Sequence, residues 1–166
     1  MNDGRRCRRR YPVNGPRRQS GIVLVMGDGE SEKVYFERLS DLCRNVHIKS
    51  VATAKTGPSV LIRKTKEHIR KSDLDPKRGD IVAIVMDLDD RFAEDEIRRM
   101  EQECNELGFR LFLSNPSFEV WLMCHRRIPT HPCTAAELFD EMNDGMGRYN
   151  KSKGIEFDDR SVCMAV

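Results

Sequence analysis

Two groups of acidic residues follow directly on apolar runs, and carboxylates so placed can hold a divalent cation. The first run, Ile22-Val23-Leu24-Val25-Met26, leads into Gly27-Asp28-Gly29-Glu30-Ser31-Glu32. The second, Ile81-Val82-Ala83-Ile84-Val85-Met86, leads into Asp87-Leu88-Asp89-Asp90. Unbroken β-rich apolar runs of this length read as strands buried on both faces, as in a parallel sheet. Ligands of such sheets bind beyond the carboxyl ends of the strands. Neighbouring strands lie about 5 Å apart, so adjacency of these two would bring Asp28, Glu32, Asp87 and Asp89 together. Crowded carboxylates repel unless a positive charge sits among them, and a divalent metal is the usual answer. The chemistry this points to is phosphodiester cleavage at a site for Mg²⁺ or Mn²⁺.

Each acid also has a plainer explanation. Glu32 falls in the first turn of a helix, where any acid is favoured by the helix dipole. Asp87 directly follows a buried strand and is hard to explain as surface decoration, and Asp89 is close behind. Asp90 can instead cap the following helix. Glu30 points elsewhere on helical spacing and is expected in solvent.

The elements that must position these residues alternate strand and helix. Ile22–Met26 is the first strand, and Ser31 is placed to cap a helix from about Glu32 to Arg44. Val46–Ala52 reads as a second strand. Thr56-Gly57-Pro58-Ser59 is helix-start chemistry for a helix over Pro58–Ser72, which Asp75-Pro76-Lys77-Arg78-Gly79 breaks. Asp80–Met86 is the third strand. A charged helix over Ala93–Leu107 carries Ile97, Met100, Cys104 and Leu107 at helical spacing, and Gly108 stops it. Phe109–Leu113 is the fourth strand. Asn115-Pro116-Ser117 then opens an apolar helix to about His125, and Thr134–Met142 reads as another. This order predicts an α/β fold: an open, mainly parallel sheet flanked by helices, with a short helical C-terminal extension. The polar, glycine-rich stretch from Asp144 runs to Val166 with no stop signal, which reads as a chain cut short.

The chain of 166 residues is one domain's worth. Its hydrophobic share of 39% and charged share of 34% suit a soluble globular protein. No apolar stretch approaches the ~20 residues of a membrane span, and the basic N-terminus lacks the apolar core of a secretory signal. The cysteines at 7, 43, 104, 124, 133 and 163 are scattered without a CxxC pair, which reads as reduced thiols of a cytoplasmic protein. A dinucleotide site is excluded, because Gly27-Asp28-Gly29 lacks the third glycine of GxGxxG and puts acids where a pyrophosphate would bind. No Walker A lysine is present either.

The charge is uneven. Residues 1–20 hold Arg5, Arg6, Arg8, Arg9, Arg10, Arg17 and Arg18 against Asp3, a net of +6, so 21–166 carries −4 within the whole-chain +2. With Gly4, Pro12, Gly15 and Pro16 and almost nothing to bury, the arm 1–20 is expected to be disordered when free, ahead of a domain spanning 21–166. Such an arm is an electrostatic handle for a nucleic acid, or else a solvated tail.

Asp28-Gly29-Glu30-Ser31-Glu32 resembles the acidic-Gly-x-Ser/Thr-acidic signature that opens a Toprim domain, and Asp87-Leu88-Asp89 resembles its DxD. A closer resemblance is to the RloB-like family. It rests on the Gly-x-Ser-Glu-x-x-Tyr-Phe segment from Gly29 to Phe36, the DxD, and Asn115-Pro116-Ser117-Phe118-Glu119-Val120-Trp121-Leu122, over roughly residues 21–155. The resemblance implies a Toprim-like fold and a metal-dependent nuclease related to the overcoming-lysogenisation-defect enzymes. It also implies a place in restriction or phage-defence loci, often beside an ATPase. One departure is the first acid, usually Glu in Toprim domains and assigned general acid/base work there. Here it is Asp28, one methylene shorter.

Glu119 sits among Phe118, Val120, Trp121 and Leu122, and an acid in that setting needs a partner or a metal. The family likeness favours a functional role. Asn115 reads as a helix cap rather than a ligand. His125 is a general base or, more commonly for its position, a satisfied histidine at a helix end. Phosphoryl transfer also needs a cation for the developing charge. Tyr149-Asn150-Lys151-Ser152-Lys153 resembles a tyrosine-lysine stretch near the family's C-terminal end, which makes Lys151 or Lys153 the candidate, with Lys55 as a rival and an ordinary surface lysine as the plain alternative. A non-catalytic module that docks on nucleic acid or on a partner ATPase is the competing reading. Oligomeric state is not legible.

Overall fold

The computed structural model describes residues 22–27, 29–43, 46–54, 57–88, 92–146, 149–157 and 162. Strand β1 (Ile22–Gly27) is followed by α1 (Glu30–Leu42), β2 (His47–Ala52), α2 (Pro58–Ser72) and a single 3-10 turn over Pro76–Arg78. Then come β3 (Ile81–Asp87), α3 (Glu94–Leu107), β4 (Arg110–Ser114), α4 (Glu119–Cys124) and α5 (Ala135–Met146). The four strands lie in the order β2-β1-β3-β4, and every pairing is parallel. The α/β architecture expected from the alternating pattern is the one observed.

The apolar strands are buried on both faces, which is why they carry no polar alternation. Leu24 and Met26 of β1 and Val82, Ile84 and Met86 of β3 pack with Leu61 and Ile62 of α2 and Met100 and Cys104 of α3. Val25, Ala83 and Val85 face the other way, toward Tyr35 of α1, Leu122 of α4 and Leu138 and Met142 of α5. Removing a side chain such as Leu61, which is fully buried, would cost about 2–5 kcal/mol. The chain winds outward from β1 to β2, then returns across β1 to β3 and β4. The direction of winding therefore reverses between β1 and β3. At such a switch point the flanking connections leave in opposite directions and open a crevice at the carboxyl ends.

Three local expectations are corrected. α1 begins at Glu30 with Gly29 as its N-cap in extended backbone and no side-chain cap bond. Ser31 is inside the helix and buried, because it shares the inward face with Tyr35 one turn on. α4 is shorter than the apolar pattern suggests, starting at Glu119 with Phe118 at its N-cap. Asn115 is therefore no cap, and it lies exposed in the bend after β4. α5 runs on to Met146, its start fixed by a reciprocal bond pair in which Glu137 N–H donates to Thr134 Oγ1 and Thr134 N–H to Glu137 Oε2.

Among the described residues Cys43, Cys104, Cys124 and Cys133 are free thiols. Burial pushes the Cys104 thiol up to about 11, the behaviour of an inert core residue. No helix among the described residues is long and apolar enough to cross a membrane. The arm with Arg5, Arg6, Arg8, Arg9, Arg10, Arg17 and Arg18 lies outside the described residues, as do Asp28, Asp89, Asp90 and Lys55.

Candidate metal centre and the buried carboxylate beside it

The adjacency of β1 and β3 sets the acids. Gly27, the last residue of β1, pairs with Val85, and Asp87 ends β3 opposite Ser114 of β4. Asp28 directly follows Gly27 in the chain, and Asp89 lies one residue beyond Leu88, whose N–H donates to the Ser114 carbonyl at 2.7 Å. Glu32, one helical residue after Ser31, is only 3% exposed. Its side chain folds back over the β1–α1 turn: a Cβ at Gly29 would stand 2.8 Å from Glu32 Oε2, and one at Gly27 3.0 Å from Glu32 Cβ. The two glycines thus make room for the Glu32 side chain.

Glu32 and Asp87 are the two acids of the predicted set that fall among the described residues, and both stand at the carboxyl end of the sheet beside the switch point. Among the described residues no group of three or more His, Cys, Asp or Glu is assembled to hold a metal. The donor chemistry of Glu32 and Asp87 suits a hard divalent cation; Asp28 and Asp89, the other two acids of the expected set, lie outside the described residues.

A second buried acid lies alongside. Glu119 is 3% exposed, and three groups converge on its Oε1. The Ser31 hydroxyl donates at 3.0 Å, the Tyr149 hydroxyl at 3.2 Å, and Lys151 Nζ stands at 3.0 Å. Ser31 Oγ and Tyr149 OH are themselves 3.1 Å apart. Burial raises the Glu119 carboxyl, but hydrogen bonds from Ser117 and Lys151 and the lysine's charge outweigh it and hold the group below the usual glutamate range. The Tyr149 phenol is pushed up by burial and further by the charges of Glu119 and Glu32, against a lowering hydrogen bond from Ser31. Tyr149 therefore feels both acids, which ties the Glu119 cluster electrostatically to the candidate metal site.

Lys151 and Tyr149 reach this place because α1 holds their segment. Arg38 donates to the carbonyls of Ile155 and Lys153, closing a turn that Asn150 and Gly154 bridge. Gly154 has φ +64, and a Cβ there would meet Val34 Cγ1 of α1 at 2.8 Å, so only glycine fits.

An aromatic shell lies beyond Glu119. Tyr35 packs edge-on against Phe36, Phe118 and Trp121. His125, 3% exposed, stacks on Phe157, and its Nε2 lies 3.1 Å from the Tyr35 hydroxyl. His125 thus stands at the C-terminal end of α4, held by the Tyr35 hydroxyl through Nε2. Glu30 and Lys153 are exposed.

A family model for RloB-like proteins matches residues 23–164. The chain belongs to the RloB-like family. Neither the curated proteins nor the solved structures yield a match. The RloB-like span takes in Asp28, Glu32, Asp87, Asp89, Glu119 and Lys151 and leaves the basic arm 1–20 outside. Its two sequence motifs meet in space: Ser31 of the first bonds Glu119 of the second, and Tyr35 packs on Phe118 and Trp121. Sequence reasoning missed Ser31 and Tyr149 as partners of Glu119. The signal for Ser31 was its place in Gly-x-Ser-Glu, where a helix-cap role competed. Nothing in the sequence singles out Arg38.

Proposed function

We propose that this RloB-like protein is a divalent-metal-dependent nuclease of Toprim type. Asp28, Glu32, Asp87 and Asp89 would hold Mg²⁺ or Mn²⁺ and Lys151 would face the phosphate. The observation that carries the reading is the pair of described carboxylates, Glu32 and Asp87, at the carboxyl ends of adjacent parallel strands beside the switch point, with Glu32 buried against glycine. An acid withdrawn from solvent there, with Asp87 across the crevice, is stabilised by a cation. When bound, the cation supplies charge neutralisation and polarisation of a phosphodiester oxygen. Glu119 anchors Lys151 through one N–H. An ammonium has three donors, so two remain for a phosphate oxygen as negative charge develops. Side-chain exposure of 57% leaves Lys151 accessible to a polyanion.

A second reading, a non-catalytic module docking on nucleic acid or on a partner ATPase, is favoured by Asp28, which stands where Toprim domains usually have Glu. Mn²⁺ titration calorimetry of wild type and Asp87→Asn, run beside a cleavage assay on single- and double-stranded DNA and RNA with and without EDTA, separates the two. Asp87→Asn is expected to weaken Mn²⁺ binding and to leave metal-free thermal stability equal or higher, since a crowded charge is gone. Unchanged affinity would remove the assigned site. Metal binding without cleavage, even in Asp28→Glu and with the ATPase added, would establish the docking reading instead.

A further inference from the structure

Charge is sorted within the folded domain as well. α2 carries Arg63, Lys64, Lys66, Arg70 and Lys71 against Glu67, a net of +4. The other α-helices of the described residues are all acidic: α1 is −2, α3 −4, α4 −1 and α5 −4. β2, the edge strand beside β1, adds Lys49. α2 and β2 thus hold +5 within the −4 of residues 21–166, which leaves −9 on the rest of that stretch. A surface that serves solubility alone intersperses both signs.

The cations of the two elements are joined in space. Near the start of α2, Lys64 Nζ donates to the Thr53 carbonyl at 2.7 Å. Thr53 in turn donates to the Gly27 carbonyl through its N–H at 3.0 Å and its hydroxyl at 3.1 Å, and Gly27 ends β1 beside the candidate metal site. At the far end of the helix, Lys49 Nζ stands 3.3 Å from Ser72 Oγ. Between them, burial and the charges of Lys49 and Lys71 hold the His68 imidazole below the usual histidine range. Lys64, His68 and Lys71 share one helical face. Arg63 and Lys66 are paired with Glu67 and Glu103. Among the described residues none of Lys49, Lys64, Arg70 and Lys71 has a carboxylate partner, and Lys49, Arg70 and Lys71 are exposed. The helix rises about 10 Å from Lys64 to Lys71, a length over which one strand of a duplex presents about three phosphates. We infer that the outer face of α2, with Lys49 of β2, is a docking surface for the phosphate backbone of a nucleic acid, leading a strand past Lys64 to the crevice. The kind of polyanion rests on the proposed nuclease reading, since Lys64 ties the surface to the crevice where that reading puts the chemistry.

Fluorescence anisotropy with labelled single-stranded and duplex oligonucleotides, in EDTA over a salt series, reads this surface without metal or cleavage. The full chain is used throughout, so the basic arm is present in every variant. One variant combines Arg70→Gln with Lys71→Gln, and a second carries Lys49→Gln alone. The control combines Arg98→Gln with Arg99→Gln, which takes the same net charge from exposed positions of α3. The α2 pair should weaken binding about tenfold or more and make log affinity against log salt less steep by about 0.7–0.9 for each phosphate released. Lys49→Gln should act in the same direction, and the α3 pair should keep the wild-type slope. Melting temperature and circular dichroism should hold in all three, since the altered side chains are exposed. Wild-type slopes in both the α2 pair and Lys49→Gln would overturn the inference. So would an equal loss in the α3 pair, which would make the effect one of net charge alone, or a wild type that binds neither oligonucleotide at low salt. Vesicles of phosphatidylserine and phosphatidylcholine cover the rival polyanion: an α2 pair that loses vesicle binding and keeps oligonucleotide binding would assign the surface to a membrane and overturn the inference too. The nuclease reading fails separately. A wild type that binds oligonucleotide through α2 but neither binds Mn²⁺ nor cleaves would keep the docking surface and lose the metal site.

Discussion

Glu119 is charged inside an otherwise apolar helix because its donors outnumber what burial removes. Hydroxyls from Ser31 and Tyr149, the Lys151 ammonium and the Ser117 side chain replace water around it. A glutamate whose folded pKa lies below its unfolded value adds stability that is complete above the ordinary value of about 4.3 and is lost as the pH falls through the lower folded one. Glu119→Gln should therefore cost about 1–2 kcal/mol near neutrality. It should also flatten the acid limb of stability against pH, measured by urea unfolding at steps from neutral down through the carboxylate range; an unchanged acid limb would mean that Glu119 is not held ionised by these donors. Gly29→Ala asks about Glu32. The added methyl meets the flexible end of the Glu32 side chain and not backbone, so the fold should lose about 1 kcal/mol or less, the N-cap preference of Gly over Ala. Mn²⁺ affinity should nonetheless fall, because the carboxylate must move. Calorimetry with equal affinities for wild type and variant would show that the Glu32 carboxylate is not a ligand. That Glu119 needs a partner was legible from its apolar neighbours. Which partners was not, since Ser31 lies 88 residues away and Tyr149 30.

Elements whose pattern is set by their own residues were readable. The apolar runs of β1 and β3 are strands, and α2 spans Pro58–Ser72 as its proline start and polar stop predict. α3 ends where Gly108 takes a left-handed φ of +71. Elements decided by tertiary packing were not. α1 starts earlier than a serine cap would place it, because the buried cluster claims the Ser31 hydroxyl. α4 is cut to Glu119–Cys124, since the chain from Ser114 must first turn back across the carboxyl end of the sheet. The turn after α5 depends most on a distant residue, Arg38 of α1, whose guanidinium takes two of its carbonyls. Arg38→Ala should free that turn while leaving the sheet intact. Hydrogen exchange is expected to speed up for the amides of 149–157 and to stay slow in β1 and β3. If the nuclease reading holds, cleavage falls in this variant while Mn²⁺ affinity does not, because Lys151 loses its position and Glu32 and Asp87 keep theirs. Unaltered exchange at 149–157 would mean that Tyr149 and Glu119 hold the turn without Arg38.

At the scale of the molecule, strand order turns separate motifs into one site. Placing β1 beside β3 brings acids some 55 residues apart to one crevice (Glu32 and Asp87 in the sequence), the place where parallel sheets bind ligands. The sequence implied this only conditionally, because strand adjacency is a property of the winding and not of either run. Charge is divided as sharply as the chain: +6 on residues 1–20 and −4 on the remainder. A domain of net negative charge repels a polyanion at long range, so if the proposed nucleic-acid substrate is right, productive encounter needs a cationic region elsewhere, and the arm is the densest one in the sequence. Deleting residues 1–20 should weaken nucleic-acid binding and make log affinity against log salt less steep, by about 0.7–0.9 for each phosphate that the arm neutralises. The melting temperature should not change, since the arm has almost nothing to bury, and Mn²⁺ affinity should be kept, since none of the four acids is removed. Fluorescence anisotropy with a labelled oligonucleotide over a salt series measures the slope. An identical slope for the full and shortened chains would show that the arginines of the arm do not touch the phosphates. The electrostatic handle would then have to be sought among the lysines and arginines of the folded domain.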